Sequence, residues 1–213
     1  MRNFSFILCA VAAVIAAPAT AASFSGPRAE ARVGWDRTTL DLSYQDAEDS
    51  LSGSGHKSGY DVGAEVGYDY QSASGFVAGA YAGVDYASTK KCSAVFGDDR
   101  GCLKLGRNFT VGARVGAKVS PLIMLYAKGG YSNGQIKATY HNSDDPTLDF
   151  GDHANRGGYH VGAGAEFALG QQGYIRAEYV RTNYSDYDYS DPDFKVSVDG
   201  HRDQALLGFG LRF

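Results

Sequence analysis

The sequence predicts an all-β protein, an eight-stranded antiparallel up-and-down transmembrane β-barrel. Three observations predict it. Eight short runs alternate apolar with polar residues, their connections alternate between short and long, and an export-type leader precedes them. Composition hides this architecture, because mean hydropathy is −0.28 and charged residues make up 21%. The 28 glycines and 15 tyrosines in 213 residues are the better clue. A barrel strand gives only half its residues to lipid, so hydropathy averages miss it.

The leader comes first. Arg2 precedes the apolar run "FSFILCAVAAVIAA", and Ala19-Thr20-Ala21 forms a small-x-small cleavage site. The run is shorter than the roughly 20 residues of a spanning helix, which disfavours a permanent anchor. The expected division is residues 1–22 as a cleaved signal peptide and residues 23–213 as one barrel domain, with Cys9 lost on cleavage. Two cysteines remain, Cys92 and Cys102, in a polar stretch. In an exported protein this spacing predicts a disulfide; a metal site would need further ligands, and no His lies close in sequence.

The strands follow in order. "RAEARVGWD" sets Arg28, Glu30, Arg32 and Asp36 against Ala29, Ala31, Val33 and Trp35. "YDVGAEVGYDY" sets Asp61, Glu65 and Asp69 against Tyr60, Val62, Val66, Tyr68 and Tyr70. In "GFVAGAYAGVDYA", Phe76, Ala78, Val84 and Tyr86 oppose Tyr81 and Asp85. "NFTVGARVGAKV" opposes Phe109, Val111, Ala113 and Val115 to Arg114 and Lys118. "LYAKGGYSNG" is weaker, with Leu125, Ala127 and Tyr131 against Tyr126 and Lys128. "GYHVGAGAEFA" sets Tyr159, Val161 and Phe167 against His160 and Glu166, and "YIRAEYVRT" sets Ile175, Ala177 and Tyr179 against Arg176 and Glu178. The final run, "DQALLGFGLRF", aligns Leu207, Phe209, Leu211 and Phe213 opposite Gly208, Gly210 and Arg212. Only an extended strand keeps such sets on separate faces.

"QSAS", "SPLI" and "GQQG" form short turns, whereas the other connections are polar stretches of about 15–25 residues, as outer-membrane barrels arrange their periplasmic turns and surface loops. Lipid offers no hydrogen bonds, so the sheet must close. Eight strands leave a bore just wide enough to be filled by side chains. The polar row supplies that filling: Glu30, Arg32, Glu65, Arg114, Lys128, Glu166, Arg176, Glu178 and Arg212 are expected to form a lumen charge network. The opposite assignment would place Arg32, Arg114, Lys128 and Arg176 in hydrocarbon, at roughly 2–4 kcal/mol each near the midplane. Outward aromatics near strand ends, among them Trp35, Tyr60, Tyr68, Tyr86 and Phe167, suit interfacial girdles.

The leader, the eight alternating strands and "LLGFGLRF" together resemble the outer-membrane β-barrel superfamily of opacity-type and OmpA-type porin-like proteins. The resemblance covers essentially the whole mature chain and implies the outer membrane of a Gram-negative bacterium. It also implies that Leu207, Phe209, Leu211 and Phe213 are the signal read by the barrel assembly machinery. Full-length OmpA relatives add a C-terminal peptidoglycan-binding domain that this sequence does not show, so cell-wall tethering is not expected to carry over. The expected partners are outer-membrane lipid and lipopolysaccharide, the assembly machinery, and host or neighbouring-cell surface ligands. With a net charge of −4 and no basic stretch that stands out, nucleic acid is not expected.

Catalytic candidates are weak. His141 and Ser143 loosely match the His-x-Ser of lipid A deacylases, but three-residue matches are cheap. Asp152, His153, Asp199 and His201 would have to converge to imitate an outer-membrane protease, whose barrels are larger. The Tyr/Asp-rich stretch from Tyr184 to Asp193 lacks the spacing of an EF-hand. The expectation is a non-enzymatic barrel with long surface loops, without metal or cofactor, serving envelope integrity or surface adhesion. A narrow passive porin is the first alternative and a lipid A-modifying enzyme the second. A soluble ligand-binding barrel is weaker still, because its faces would be reversed.

Overall fold

A computed structural model describes the backbone of residues 23–46, 50–94, 100–141, 150–190 and 194–213. The signal-peptide segment 1–22 lies outside them. The strands are β1 (Gly26–Asp46), β2 (Ser50–Gln71), β3 (Phe76–Ala87), β4 (Lys90–Ala94), β5 (Arg100–Ser120), β6 (Ile123–His141), β7 (Phe150–Leu169), β8 (Gly173–Ser190) and β9 (Phe194–Arg212). All neighbours pair antiparallel in the order β3-β2-β1-β9-β8-β7-β6-β5-β4, and a β3–β5 ladder closes the ring. β3 and β4 occupy one barrel position, interrupted at Ser88 and Thr89, so nine segments make an eight-stranded barrel. The seam joins the two terminal strands, with Arg28 opposite Arg212 and Trp35 opposite Ala205.

Inward and outward rows follow the pleat. Val161, Leu211 and Phe213 are about half exposed or more, whereas Arg114, Arg176 and Glu166 are essentially inaccessible. The outward row therefore meets lipid. Bulky inward side chains sit beside cross-strand glycines: Arg28 opposite Gly67, Tyr126 opposite Gly116 and Gly164, and Tyr174 opposite Gly210. A Cβ on Gly210 would lie 2.2 Å from the Tyr174 ring, and one on Gly208 would lie 2.6 Å from the Glu30 carboxyl carbon. Glycine on one strand is what allows bulk on the next.

The short turns lie where expected. Gly75 (φ 85°) and Gly170 (φ 67°) take left-handed conformations that favour glycine. At the other end the outcome differs from expectation. The polar stretches read as loops are largely paired backbone: β1–β2 pairing continues to Gln45↔Ser50, and β8–β9 pairing to Ser190↔Lys195. Polarity reports contact with water but says little about backbone conformation. A ladder already started satisfies each further N–H and C=O more completely than an irregular loop would.

The ring does not persist over this height. β2–β3 pairing stops at Asp61↔Ala87, and β7–β8 pairing stops at Gly158↔Tyr184. Among the described residues, no ladder joins β2 to β4 or β7 to β8 beyond those pairs, which leaves two half-sheets. One comprises the outer parts of β8, β9, β1 and β2, and the other comprises β4 with the outer parts of β5, β6 and β7.

Candidate functional site

The lumen is an ion-pair lattice. Glu65 lies at its centre and accepts from Arg28 Nη1 (2.8 Å), Arg32 Nη1 (2.6 Å), Lys128 Nζ (2.8 Å) and Arg176 Nη1 (3.0 Å). Each cation has a second carboxylate: Asp69 for Arg28 (3.1 Å), Asp85 for Arg32 (2.7 Å), Glu178 for Lys128 (3.1 Å) and Glu30 for Arg176 (2.5 Å). Toward the short turns, Arg114 forks onto Asp69 and reaches Glu166 at 3.0 Å. Arg212 joins Asp69 and Glu166, each at 2.9 Å. Toward the half-sheets, Arg202 donates to Asp36 (2.9 Å) and to Asp61, while Gln204 also donates to Asp61. Buried charge is tolerated only when paired in this manner.

Several members were not foreseen. Gln204 is the second residue of the run "DQALLGFGLRF" and Arg202 directly precedes that run; extending the alternation back from Leu206 finds both. Tyr81 and Tyr126 carry the inward parity but were not assigned a role. Tyr126 donates to Glu178 (2.6 Å), and its ring stacks beneath Arg114. His160 is held between Ser132 Oγ on Nδ1 (2.9 Å) and the Tyr81 hydroxyl on Nε2. Among the described residues, Asn108 Nδ2, Thr110 Oγ1 and Thr182 Oγ1 are buried without a hydrogen-bond partner, which suits bound water.

Phe24 closes the opposite end. It precedes the first strand, so no alternation marks it. It is fully buried against Val77, Met124 and Tyr126. Its N–H donates to Gln71 Oε1 (2.8 Å), and Lys118 and Arg212 flank its ring at 5.9 and 5.5 Å. Lys118, expected among the inward charges, thus stands at the mouth, half-buried.

Cys92 and Cys102 are joined by a disulfide across the β4–β5 pair. Leu207, Phe209, Leu211 and Phe213 all face outward. The protease-like set is not brought together: Asp152 and His153 are on β7, opposite Ala138 and Lys137, whereas Asp199 and His201 are on β9, opposite Asp41 and Thr39, in the other half-sheet. Ser143, the His141 side chain and, in the Tyr/Asp-rich stretch, residues 191–193 and the side chains of residues 186–190 lie outside the described residues.

The profile of the outer membrane protein β-barrel domain matches residues 6–213. No curated protein matches the chain. Solved structures do. The outer membrane protease OmpT of Escherichia coli aligns over 88% of this chain and 97% of its own, at 9% identity and a TM-score of 0.52. OprG of Pseudomonas aeruginosa aligns over 89% and 97%, at 13% and 0.50. The attachment invasion locus protein Ail of Yersinia pestis, in complex with the heparin analogue sucrose octasulfate, aligns over 88% and 99%, at 16% and 0.43. At such identities the likeness is one of fold.

Proposed function

For a chain that belongs to the outer membrane protein β-barrel family, and so to the outer membrane of Gram-negative bacteria, we propose a non-enzymatic role in surface interaction. The barrel serves as an immobile anchor and the two half-sheets as the working parts. The observation that carries this reading is the unpaired backbone above the ring. Among the described residues, positions 50–58 of β2 pair only with β1, positions 150–157 of β7 only with β6, and β4 only with β5. An exposed strand edge is a template for adding an extended peptide. The β2 edge, "SLSGSGHKSG", carries few of the bulky or charged side chains that usually block such addition.

The test compares cells displaying the intact chain with cells displaying a trimmed one, in which residues 40–55 are replaced by a two-residue Asn-Gly turn. Adhesion to protein-coated surfaces falls in the trimmed strain if the edge is used, and equal adhesion refutes the role. A lipid A mass spectrum unchanged by expression is expected; a new acylation pattern would favour the enzyme alternative. The paired lattice and the Phe24 plug weigh against a passive pore, for which bilayer conductance is the direct measurement.

Two further assignments belong to the same reading. Residues 1–22 act as the export signal, which N-terminal sequencing of the mature protein checks. Leu207, Phe209, Leu211 and Phe213 act as the assembly signal.

A further inference from the structure

The half-sheet made of β8, β9, β1 and β2 ends in two unpaired edges, and their sequences complement each other. On the outer part of β2 the inward register positions include Gly53, Gly55, Lys57 and Gly59. Residues 53–58 are exposed, and among the described residues nothing lies within 4 Å of the place a Cβ on Gly53 would take. On the outer part of β8 the inward register positions are Tyr184, Tyr187 and Tyr189, paired with Gly200, Val198 and Val196 of β9. Charge differs too: β2 carries His56 and Lys57 along its edge, and β8 carries Asp186 and Asp188.

Inside the ring, inward tyrosines stand against cross-strand glycines. Tyr81 is opposite Gly67 and Gly112, Tyr126 opposite Gly116 and Gly164, and Tyr184 opposite Gly158 and Gly200. Tyr187 and Tyr189 have valine on one side and an open edge on the other, while Gly53 and Gly55 have an open edge that lacks tyrosine. Neither edge suits its own neighbour. Ser88 N donates to Tyr60 O at 2.8 Å, and the same register carried outward would set Lys57 opposite Lys91 of β4. Like charges so placed destabilise a sheet. On the other side, β8 bulges between Tyr184 and Tyr187, and β7 offers Arg156, Ala154 and Asp152 at its inward positions.

Copies in one membrane stand with their short turns on the same side. β2 runs toward those turns and β8 runs away from them. The β2 edge of one copy therefore meets the β8 edge of a neighbour antiparallel, whereas two β2 edges would meet parallel, which is the slightly weaker pairing.

We infer that the β2 edge takes the β8 edge of a second copy of this chain. Tyr187 stands opposite Gly55 and Tyr189 opposite Gly53, which brings Asp186 and Asp188 alongside His56 and Lys57. The pairing rests on the same open β2 edge as the proposed function and adds the identity of the strand that fills it. Because the two surfaces differ, each joint leaves one β8 edge and one β2 edge free, and copies assemble as an open row in the membrane plane.

The test uses the full chain in outer membranes, with one tagged copy carrying Gly55→Cys and a second copy carrying Tyr187→Cys, oxidised in place by copper phenanthroline. Directly opposed cysteines fall within disulfide reach, so the mixed dimer should exceed that from either variant alone by about tenfold. A chain carrying both substitutions should give a ladder of oligomers. Heat-modifiable gel mobility verifies folding, and Ser54→Cys with Asp188→Cys is the second pair. Without added cysteine, Gly53→Val/Gly55→Val should reduce recovery of an untagged copy with a tagged one by about tenfold. Lys104→Gln/Lys137→Gln, on the other half-sheet, should not change it. Equal cross-linking by Gly55→Cys alone would place two β2 edges together and overturn the inference, as would recovery unchanged by the valines. If neither cysteine pair cross-links while trimming residues 40–55 still lowers adhesion, the edge serves a strand from another protein: the inference falls and the proposed function stands.

Discussion

Replacing Glu65 by Gln keeps the volume and removes the charge on which four cations converge. Fully breaking a buried pair costs about 3–5 kcal/mol, because a charge is left uncompensated. The cost here is not four times that. Arg28, Arg32, Lys128 and Arg176 each retain a carboxylate at 2.5–3.1 Å, so each remains paired while losing half its neutralisation. The expected loss is thus about 3–5 kcal/mol in total, and Glu65→Asp, which keeps the charge but shortens its reach, should lose less. The chain has one tryptophan, Trp35, on the lipid-facing row of β1. Its fluorescence during urea unfolding in detergent gives the midpoint directly. A Glu65→Gln barrel within about 1 kcal/mol of wild type would mean that the lattice is hydrated rather than dry, and the account of the lumen as an ion-paired core would fail.

Further outcomes are expected. Phe24→Ala, made in refolded mature protein, should cost about 3–5 kcal/mol and raise bilayer conductance, whereas unchanged conductance would show that the ring is not what closes that end. Gly210→Val should prevent folding, since even a Cβ there meets Tyr174 at 2.2 Å, and Tyr174→Ala in the same chain should restore it. Reducing Cys92–Cys102 should release only the outer β4–β5 pairs, visible as faster amide exchange there with an unchanged barrel midpoint. Above the aromatic row, hydrogen bonding from Arg181 holds the Asp203 carboxyl below its ordinary range. That stabilisation is complete above the unfolded Asp value and fades as pH falls through the depressed one. Because Arg181 is half exposed, Arg181→Gln should change acid stability by no more than about 1 kcal/mol. Phe213→Ala should lower the amount of barrel in outer-membrane fractions while leaving refolding in detergent intact.

The strands and their faces could be read from the sequence because lipid and lumen impose a strict two-residue period, and Arg114 beside Val115 has only one affordable orientation. The lattice was less legible. Which carboxylate meets which guanidinium depends on shear between strands, so Glu65 gives no local sign of being the hub and Arg202 none of reaching Asp36. Phe24 carries no periodicity at all. The half-sheets were hidden for another reason: residues such as Ser54 and Gly55 have low strand propensity and are extended because β1 supplies a ladder.

The seam has a kinetic consequence. Arg28 and Arg212 are opposite each other in space and near opposite ends of the described chain, so the ladder that shuts the cylinder is also its longest-range contact. Hairpins can assemble early, each from local sequence, yet β1 keeps an open hydrogen-bonding side until β9 arrives. Ring formation should then be the slow step. A chain cut short before β9 would remain an unclosed sheet in the bilayer, available to any strand it met.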